Sequence, residues 1–159
     1  AAAGSTVFVP INDMNDTRNG EWLDPKTARP GVSAIDAATG KVLWSHVQNN
    51  VCGEGRPFCD PGVSAPVTAT DDAVVAGHLD GFIRIYNSET GDILWSFDTA
   101  TSVTGTNGVV AKGGSMSGSG PALGEGHLVI NSGYGLYNHE AGNALLVFAP
   151  PSEESLSQR

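Results

Sequence analysis

Two stretches of this chain are near copies of each other. DAATGKVLWS at 36–45 returns as NSETGDILWS at 87–96, which places Trp44 and Trp95 at matching positions 51 residues apart. A repeat of this length is the sequence signature of stacked modules, and it suits a β unit such as one blade of a propeller. The chain must therefore use one small β unit more than once.

Each copy of the repeated phrase predicts a β-hairpin. An alternating strand, GVSAID or FIRIYN, precedes the turn, and a second strand, KVLWSHV or DILWSFD, follows it. In the first copy, Asp36 is expected to accept backbone N–H bonds within the turn, and Gly40 to adopt the positive φ that closes it. Trp44 and Trp95 then lie on the departing strands, where each is predicted to dock one blade on a neighbouring sheet.

The strands around the second copy can be counted. SAPVTAT, AVVAGH, FIRIYN and ILWSFDT are joined by short turns and form a four-stranded meander, which is the unit of a propeller blade. Before this meander stand three strands, TVFVP, GVSAID and KVLWSHV, with the first strand of a blade missing. After it stand SGPAL, HLVIN and NALLVFA, with the last strand missing.

We therefore predict an all-β chain of about three four-stranded antiparallel blades, which is part of a propeller and incomplete on its own. The partial propeller is expected over 1–150, with blade parts at 1–50, 62–100 and 113–150, and a polar tail at 151–159. The 21 glycines and 9 prolines agree with this prediction, because these residues punctuate short strands. A complete β-sandwich with a coincidental repeat is the alternative.

The predicted wedge of blades leaves two sheet faces open to water. Large apolar faces and free strand edges promote aggregation unless other polypeptide covers them. We therefore expect the remaining blades, from the same or another chain, to complete this piece.

Charge and hydropathy exclude two classes of partner. The 8 Lys and Arg residues are scattered and are outnumbered by 17 Asp and Glu residues, which gives a net charge of -9. A surface that follows nucleic-acid phosphates needs clustered cations, so nucleic acid is not an expected partner. No apolar run approaches the roughly 20 residues that a membrane-spanning helix needs, so no membrane span is expected.

The only two cysteines, Cys52 and Cys59, lie in VCGEGRPFCD, where glycines and a proline make a tight loop. The spacing predicts a local disulfide, and a disulfide would indicate an oxidising, extracytoplasmic compartment. A pair of reduced loop thiols is the alternative. A metal site is disfavoured, because no histidine or further cysteine lies nearby at ligand spacing.

The repeated phrase has the form A-x-D-x-x-T-G-x-x-x-W. The first copy matches this form in full, whereas the second departs from it at Ile85 and Asn87. The pattern resembles the tryptophan-docking repeat of quinoprotein dehydrogenases, which are eight-bladed propellers that bind pyrroloquinoline quinone on their axis.

A more specific resemblance lies between and after the repeats. SAPVTA…VVAGHLDGFIRIY and KGGSMSGSGPAL…LVINSGYG are similar to the C-terminal third of the polyvinyl alcohol dehydrogenase group of that family, from about Thr6 to Phe148. The resemblance implies an extracytoplasmic oxidoreductase that oxidises secondary alcohols, with hydride passing to the quinone and a base accepting the hydroxyl proton. It also implies a cytochrome c electron acceptor elsewhere, because the chain has no C-x-x-C-H haem motif.

The resemblance implies a cofactor site in TGTNGVVAKGGSMSGSG, the connection from the outer strand of one blade to the inner strand of the next. Pyrroloquinoline quinone is a planar ring with carboxylates, so its site needs cations, hydrogen-bond donors and room for close approach. The predicted contacts are two hydrogen-bonding side chains, one cation and two small residues: Asn107, Ser115, Lys112, Gly113 and Gly114. The alternative is a long Gly/Ser loop that only crosses the surface.

Arg56 lies in the equivalent connection one blade earlier and is predicted to face the same site, with a solvated loop arginine as the alternative. Catalytic residues stay unassigned, and no metal is expected. The histidines show no mutual metal spacing, and INDMNDTRNGEWLD breaks the calcium-loop pattern. A second interpretation therefore stays open, in which this is a non-catalytic propeller segment acting as a structural or binding subunit of a larger assembly.

Overall fold

A computed structural model describes residues 1–13, 15–17, 20–22, 26–53, 56, 58–134 and 139–150. For 15–17 and 20–22 it describes the backbone only. Every regular element within these ranges is a β-strand, and all the pairings between strands are antiparallel. No helix in this part of the chain is long and apolar enough to cross a membrane.

The first blade is a four-stranded sheet with the order β1-β2-β5-β6. A two-stranded hairpin, β3 and β4, interrupts it between its second and third strands. In chain order the strands are β1 (Ala2–Ala3), β2 (Thr6–Ile11), β3 (Asn15–Thr17), β4 (Gly20–Trp22), β5 (Gly31–Asp36) and β6 (Val42–Val47). The expectation that this blade lacks its first strand was wrong, because the short β1 pairs with β2 through Ala2 and Val7.

The second blade is the predicted meander, with the order β10-β9-β8-β7. Its strands are β7 (Thr68–Ala69), β8 (Ala73–Gly77), β9 (Phe82–Asn87) and β10 (Ile93–Asp98). The connection that follows contains a hairpin of β11 (Ser102–Thr104) and β12 (Val110–Lys112), which the sequence analysis did not predict. Its Asn-Gly turn at Asn107 and Gly108 is a recognised hairpin signal.

The third blade has three strands among the described residues, with the order β13-β14-β15. They are β13 (Ala122–Gly124), β14 (His127–Ser132) and β15 (Ala144–Phe148). Leu145 and Val147 on β15 are 67% and 59% exposed, so this strand presents apolar side chains to water. The predicted fold class is confirmed: the chain is all-β, and the described blades do not close a ring.

The second blade packs on both of its faces, because successive residues of a strand point to opposite sides of the sheet. On β8, Val74 and Ala76 face the first blade, whereas Val75 faces the third. The core between the first and second blades contains Phe8, Val32, Ala34, Val63, Val67, Val74, Ala76 and Tyr86. The core between the second and third blades contains Val75, Ile83, Met116, Leu128 and Ile130. A β-sandwich has one core between its two sheets. The two separate cores therefore exclude the alternative of a β-sandwich.

Trp44 joins the two copies of the repeated phrase in space. Its indole N–H donates to the carbonyl of Ser88 at 2.9 Å, in the turn that follows β9. Gly91 in the same turn has a φ of +76°, and a Cβ on it would lie 2.5 Å from a ring carbon of Trp44. The tryptophan of the first copy therefore covers the glycine of the second, which fixes how these two blades stack.

Trp95, the matching residue of the second copy, lies against the third blade. Its ring meets that of Phe148 edge-on, with the centroids 5.2 Å apart, and it remains 36% exposed. It borders an open groove of about 580 Å³ that Ile85, Leu123 and Leu128 also line. Trp95 thus has an apolar partner on β15.

Candidate functional site

Described residues of the β8–β9 turn, the β14–β15 connection and the two connections between blades come together at one edge of the sheets. Glu140, in the β14–β15 connection, links the other elements. Its Oε2 contacts Arg56, at 2.5 Å from Nη2 and 3.2 Å from Nε, and its Oε1 lies 3.2 Å from Nζ of Lys112. Arg56 precedes the second blade and Lys112 precedes the third, so one carboxylate holds cations from two successive connections. We call these three residues the charged cluster.

The disulfide between Cys52 and Cys59 is formed, as predicted, and it closes a loop that contains Arg56. Nη2 of Arg56 also donates to the backbone carbonyl of Asp80 at 2.8 Å. The side chain of Arg56 is 26% exposed, so the guanidinium is held on one side and open to water on the other. The local cross-link and this hydrogen bond together fix a cation at the edge of the second blade.

Asp80 and Arg84 form a buried ion pair directly beneath the charged cluster. The two carboxylate oxygens of Asp80 accept from Nη1 and Nη2 of Arg84 at 3.0 Å and 2.7 Å, which is a bidentate arrangement. The Asp80 carboxylate also accepts from the backbone N–H of Phe82, and the Arg84 guanidinium lies 4.7 Å from the centre of the Phe82 ring. The pair is neutral as a unit and supports the β8–β9 turn.

Below this ion pair lies a buried histidine, His78. Its Nδ1 donates to the carbonyl of Pro61 at 3.0 Å, and its Nε2 accepts from the hydroxyl of Tyr86 at 2.8 Å. Burial lowers the pKa of His78 to about 3, and the positive charge of Arg84 acts in the same direction. Burial also raises the pKa of the Tyr86 hydroxyl above its usual value. Both groups are neutral near pH 7, and they serve packing rather than ligand contact.

Three residues of the predicted cofactor site are used for internal packing. Ser115 is fully buried, and its Oγ donates to the carbonyl of Leu79 at 2.5 Å. A Cβ on Gly113 would lie 2.1 Å from the carbonyl oxygen of Thr99, and one on Gly114 would lie 2.4 Å from that of Glu140. The two glycines therefore let backbone meet backbone, and they bring Lys112 close to Glu140.

Asn107 lies at the tip of the β11–β12 hairpin and is exposed. Its Oδ1 accepts from the backbone N–H of Val109 at 3.0 Å. The strand register places Lys112 opposite Ser102 at the other end of the hairpin. Of the predicted cofactor contacts, the structure therefore brings Arg56 and Lys112 together and leaves Asn107 apart from them.

Sequence reasoning missed Glu140, Asp80 and Arg84. Glu140 meets Arg56 across 84 residues of chain, and no local pattern could reveal that pairing. Asp80 and Arg84 did carry a signal, because HLDGFIR places an acid in the tight turn and a base four residues later on the following strand. Among the residues that the structure describes, no group of three or more His, Cys, Asp or Glu side chains is arranged to hold a metal ion.

Sequence comparison identifies the family to which this chain belongs. The PQQ_2 family model, described as outer membrane protein assembly factor BamB, matches residues 19–143. The chain belongs to this family. The predicted resemblance to quinoprotein dehydrogenases of the polyvinyl alcohol type is also confirmed by individual relatives of this PQQ_2 chain.

Two of these relatives are polyvinyl alcohol dehydrogenases. The protein from Pseudomonas sp. is 33% identical, over 94% of this chain and 24% of its own length. The protein from Sphingopyxis sp. strain 113P3 is 34% identical, over 72% of this chain and 18% of its own length. A third, the quinohemoprotein alcohol dehydrogenase ADH IIB of Pseudomonas putida, is 35% identical over 57% of this chain and 14% of its own length. The PQQ_2 chain thus spans a quarter or less of each relative.

Among solved structures, BamB from Moraxella catarrhalis is similar to this chain with a TM-score of 0.42 and 18% sequence identity. The match covers 65% of this chain and 29% of that one.

Proposed function

We propose that this chain is part of the propeller of a quinone-dependent alcohol dehydrogenase that oxidises secondary alcohols, of the polyvinyl alcohol type. The observation that carries the proposal is the convergence of Arg56 and Lys112, from two successive blade connections, on a single carboxylate. The similarity to polyvinyl alcohol dehydrogenases along nearly the whole chain supports the same reaction class.

The residues present fit pyrroloquinoline quinone. A planar ring that carries carboxylates needs cations held at a fixed spacing, and the Glu140 carboxylate already demonstrates that Arg56 and Lys112 can share one such group. Arg56 and Lys112 would hold the carboxylates of the quinone. Gly113, Gly114 and Ser115 act behind them by fixing the connection that carries Lys112. Asn107 would contact only a ligand or partner that reaches the hairpin tip.

When bound, the quinone would supply the acceptor for the hydride that leaves the carbinol carbon. This chain's own part is to bind and orient that group at the edge of the sheets. We assign the base that takes the hydroxyl proton to another part of the propeller. Asp80 is buried in its ion pair with Arg84, and we assign no role as base to Glu140.

The proposal includes partners and a location. The exposed apolar side chains of β15 favour further blades as direct neighbours, and the reduced quinone needs an electron acceptor, for which we propose a cytochrome c. The disulfide in a chain with no free cysteine favours an extracytoplasmic location.

A non-catalytic role is the second candidate. One observation favours it: Glu140 neutralises much of the positive charge of Arg56 and Lys112 without any ligand. In that case the blades would serve as a rigid structural or binding subunit, and the charged cluster would only tie the connections together.

Turnover separates the two candidates. The protein, purified under native conditions with any polypeptide that accompanies it, is mixed with pyrroloquinoline quinone, a phenazinium dye and either pentane-2,4-diol or polyvinyl alcohol. We expect dye reduction that is lost when bound quinone is removed by dialysis and that returns when quinone is added. Lys112→Gln should raise the quinone concentration needed for half-maximal rate by about tenfold, since one charge-assisted contact is lost.

The matched control is Lys41→Gln, which removes an exposed lysine from the turn before β6, at the opposite edge of the first blade. It should leave the quinone dependence unchanged. Quinone binding without dye reduction would contradict the enzyme and support the non-catalytic role. Absence of both binding and turnover would contradict the proposed cofactor.

A further inference from the structure

We propose that the Glu140 carboxylate occupies the place of an anionic ligand, and that a planar polycarboxylate must displace it to bind Arg56 and Lys112. The inference rests on the proposed function, because it concerns the same two cations. Each oxygen of Glu140 serves one cation, with Oε2 on Arg56 and Oε1 on Lys112. A ligand carboxylate would divide its contacts in the same way. Glu140 is thus an internal competitor for the site.

Arg56 and the backbone of Lys112 are also held by groups other than the Glu140 side chain. Arg56 is held by the disulfide-closed loop and by its hydrogen bond to the carbonyl of Asp80. The backbone of Lys112 is held by Asn143, whose Oδ1 accepts from the Lys112 N–H at 3.1 Å and whose N–H donates to the Lys112 carbonyl at 2.7 Å. None of these contacts involves the Glu140 side chain. The Arg56 head group and the backbone that carries Lys112 are therefore in place for a ligand that replaces Glu140.

Glu140 can release the cations by a side-chain rotation alone. Its backbone is fixed, because Ser115 donates to its carbonyl at 2.9 Å and accepts from its N–H at 3.0 Å. The Glu140 side chain, 14% exposed, can move to another staggered rotamer while these bonds persist. Its contact with Lys112, which is 53% exposed, is screened by water and contributes little to holding it.

Local charge favours displacement by a ligand with more than one carboxylate. Arg56 and Lys112 together exceed Glu140 by one positive charge, and the Asp80–Arg84 pair beneath is neutral. A ligand with a single carboxylate would compete poorly with Glu140. It would offer the same contacts, whereas Glu140 is tethered to the chain and acts at a high effective concentration. A second carboxylate and a flat ring add contacts that Glu140 cannot make. Removal of the charge at position 140 should therefore tighten binding.

Isothermal titration calorimetry on the native protein, freed of any bound quinone by dialysis, tests this inference with two probes. One probe is pyrroloquinoline quinone, and the other is benzene-1,3,5-tricarboxylate, which has the carboxylates and a flat ring but no quinone. We expect Glu140→Gln to bind both probes about tenfold more tightly than the unmodified protein, because the internal competitor has lost its charge. In proton–nitrogen spectra, the Arg56 Nε–H resonance should shift on addition of either probe.

The control variant is Glu89→Gln. It removes the same charge from the exposed turn after β9, at the opposite edge of the second blade, and should leave both affinities within about twofold of the unmodified protein. If Glu140→Gln does not fold, Glu140→Asp is used. Its shorter side chain should reach the two cations less well, and it should also tighten binding, by a smaller factor.

The possible outcomes separate the inference about Glu140 from the proposed cofactor. Quinone binding that is unchanged or weaker in Glu140→Gln overturns the inference and leaves the proposed function standing. A tighter affinity for the tricarboxylate, with no quinone binding in any variant, supports the inference and overturns the proposed cofactor. Absence of binding of both probes to every variant overturns both claims.

Discussion

At the scale of single residues, His78 makes stability depend on pH. Its ring is fully buried between Pro61 and Tyr86, which fixes the neutral tautomer with the proton on Nδ1. Burial depresses its pKa to about 3, whereas an exposed histidine in the unfolded chain titrates near 6.5. At a pH between these two pKa values, His78 binds a proton in the unfolded state and does not bind one in the folded state. Stability must therefore fall as the pH drops below about 6.5.

We expect the free energy of unfolding to fall by about 2 kcal/mol between pH 7 and pH 5 through this residue alone. His78→Gln, which retains a donor and an acceptor, should lack this component and show a shallower pH dependence. Urea titrations at both pH values measure the difference. His127→Gln, an exposed change at the start of β14, serves as the control. Equal pH dependence in His78→Gln and the unmodified protein would contradict the buried neutral assignment.

At the scale of the elements, the two repeated turns have the same backbone and different surroundings. Gly40 and Gly91 have φ values of +71° and +76°, so a Cβ is strained in either turn. Nothing lies within 4 Å of a Cβ built on Gly40, whereas one built on Gly91 meets the Trp44 ring at 2.5 Å. Only the second turn is covered by another blade.

This pair of glycines gives a matched test of blade stacking. Gly40→Ala should cost about 1 to 2 kcal/mol of unfolding free energy, from backbone strain. Gly91→Ala should cost about 3 kcal/mol, because Trp44 must also leave its place. Denaturant titration of both variants, followed by tryptophan fluorescence, measures the two losses. Equal losses in the two variants would show that Trp44 does not dock on Gly91 in solution.

The turns explain why much of the fold could be predicted. Their chemistry is local: the Asp36 carboxylate accepts from the Thr39 N–H at 2.7 Å, and Gly40 closes the turn as the sequence indicated. The β1 strand escaped prediction because Ala2–Ala3 is too short to show a pattern. The β11–β12 hairpin was missed because its Asn-Gly signal lies in the connection to which the resemblance assigned the cofactor site.

The candidate site was less predictable for a physical reason. Arg56 and Lys112 could be proposed from their residue types and their place in the connections. Glu140, which joins them, is distant in sequence, and its role depends on how three blades stack. Ser115, Gly113 and Gly114 were expected to contact a ligand, and in the structure all three are buried against backbone. Composition alone does not separate a loop that touches a ligand from one that packs against backbone.

At the scale of the whole molecule, three antiparallel blades stack through two apolar cores, and their connections meet in one charged cluster. The described blades leave apolar side chains of β15 and the Trp95 groove exposed. Burial of such side chains contributes roughly 1.5 to 3 kcal/mol each, so a neighbouring blade would gain substantially by covering them. We therefore propose that these blades form part of a larger propeller.

Native mass spectrometry of the protein as isolated, followed by denaturation and an absorbance scan of the released small molecules, tests this central claim most directly. We expect a complex that is heavier than the single chain and that releases pyrroloquinoline quinone when it is denatured. A stable single chain with no companion polypeptide and no quinone, even after incubation with added quinone, would contradict both the incomplete propeller and its proposed cofactor.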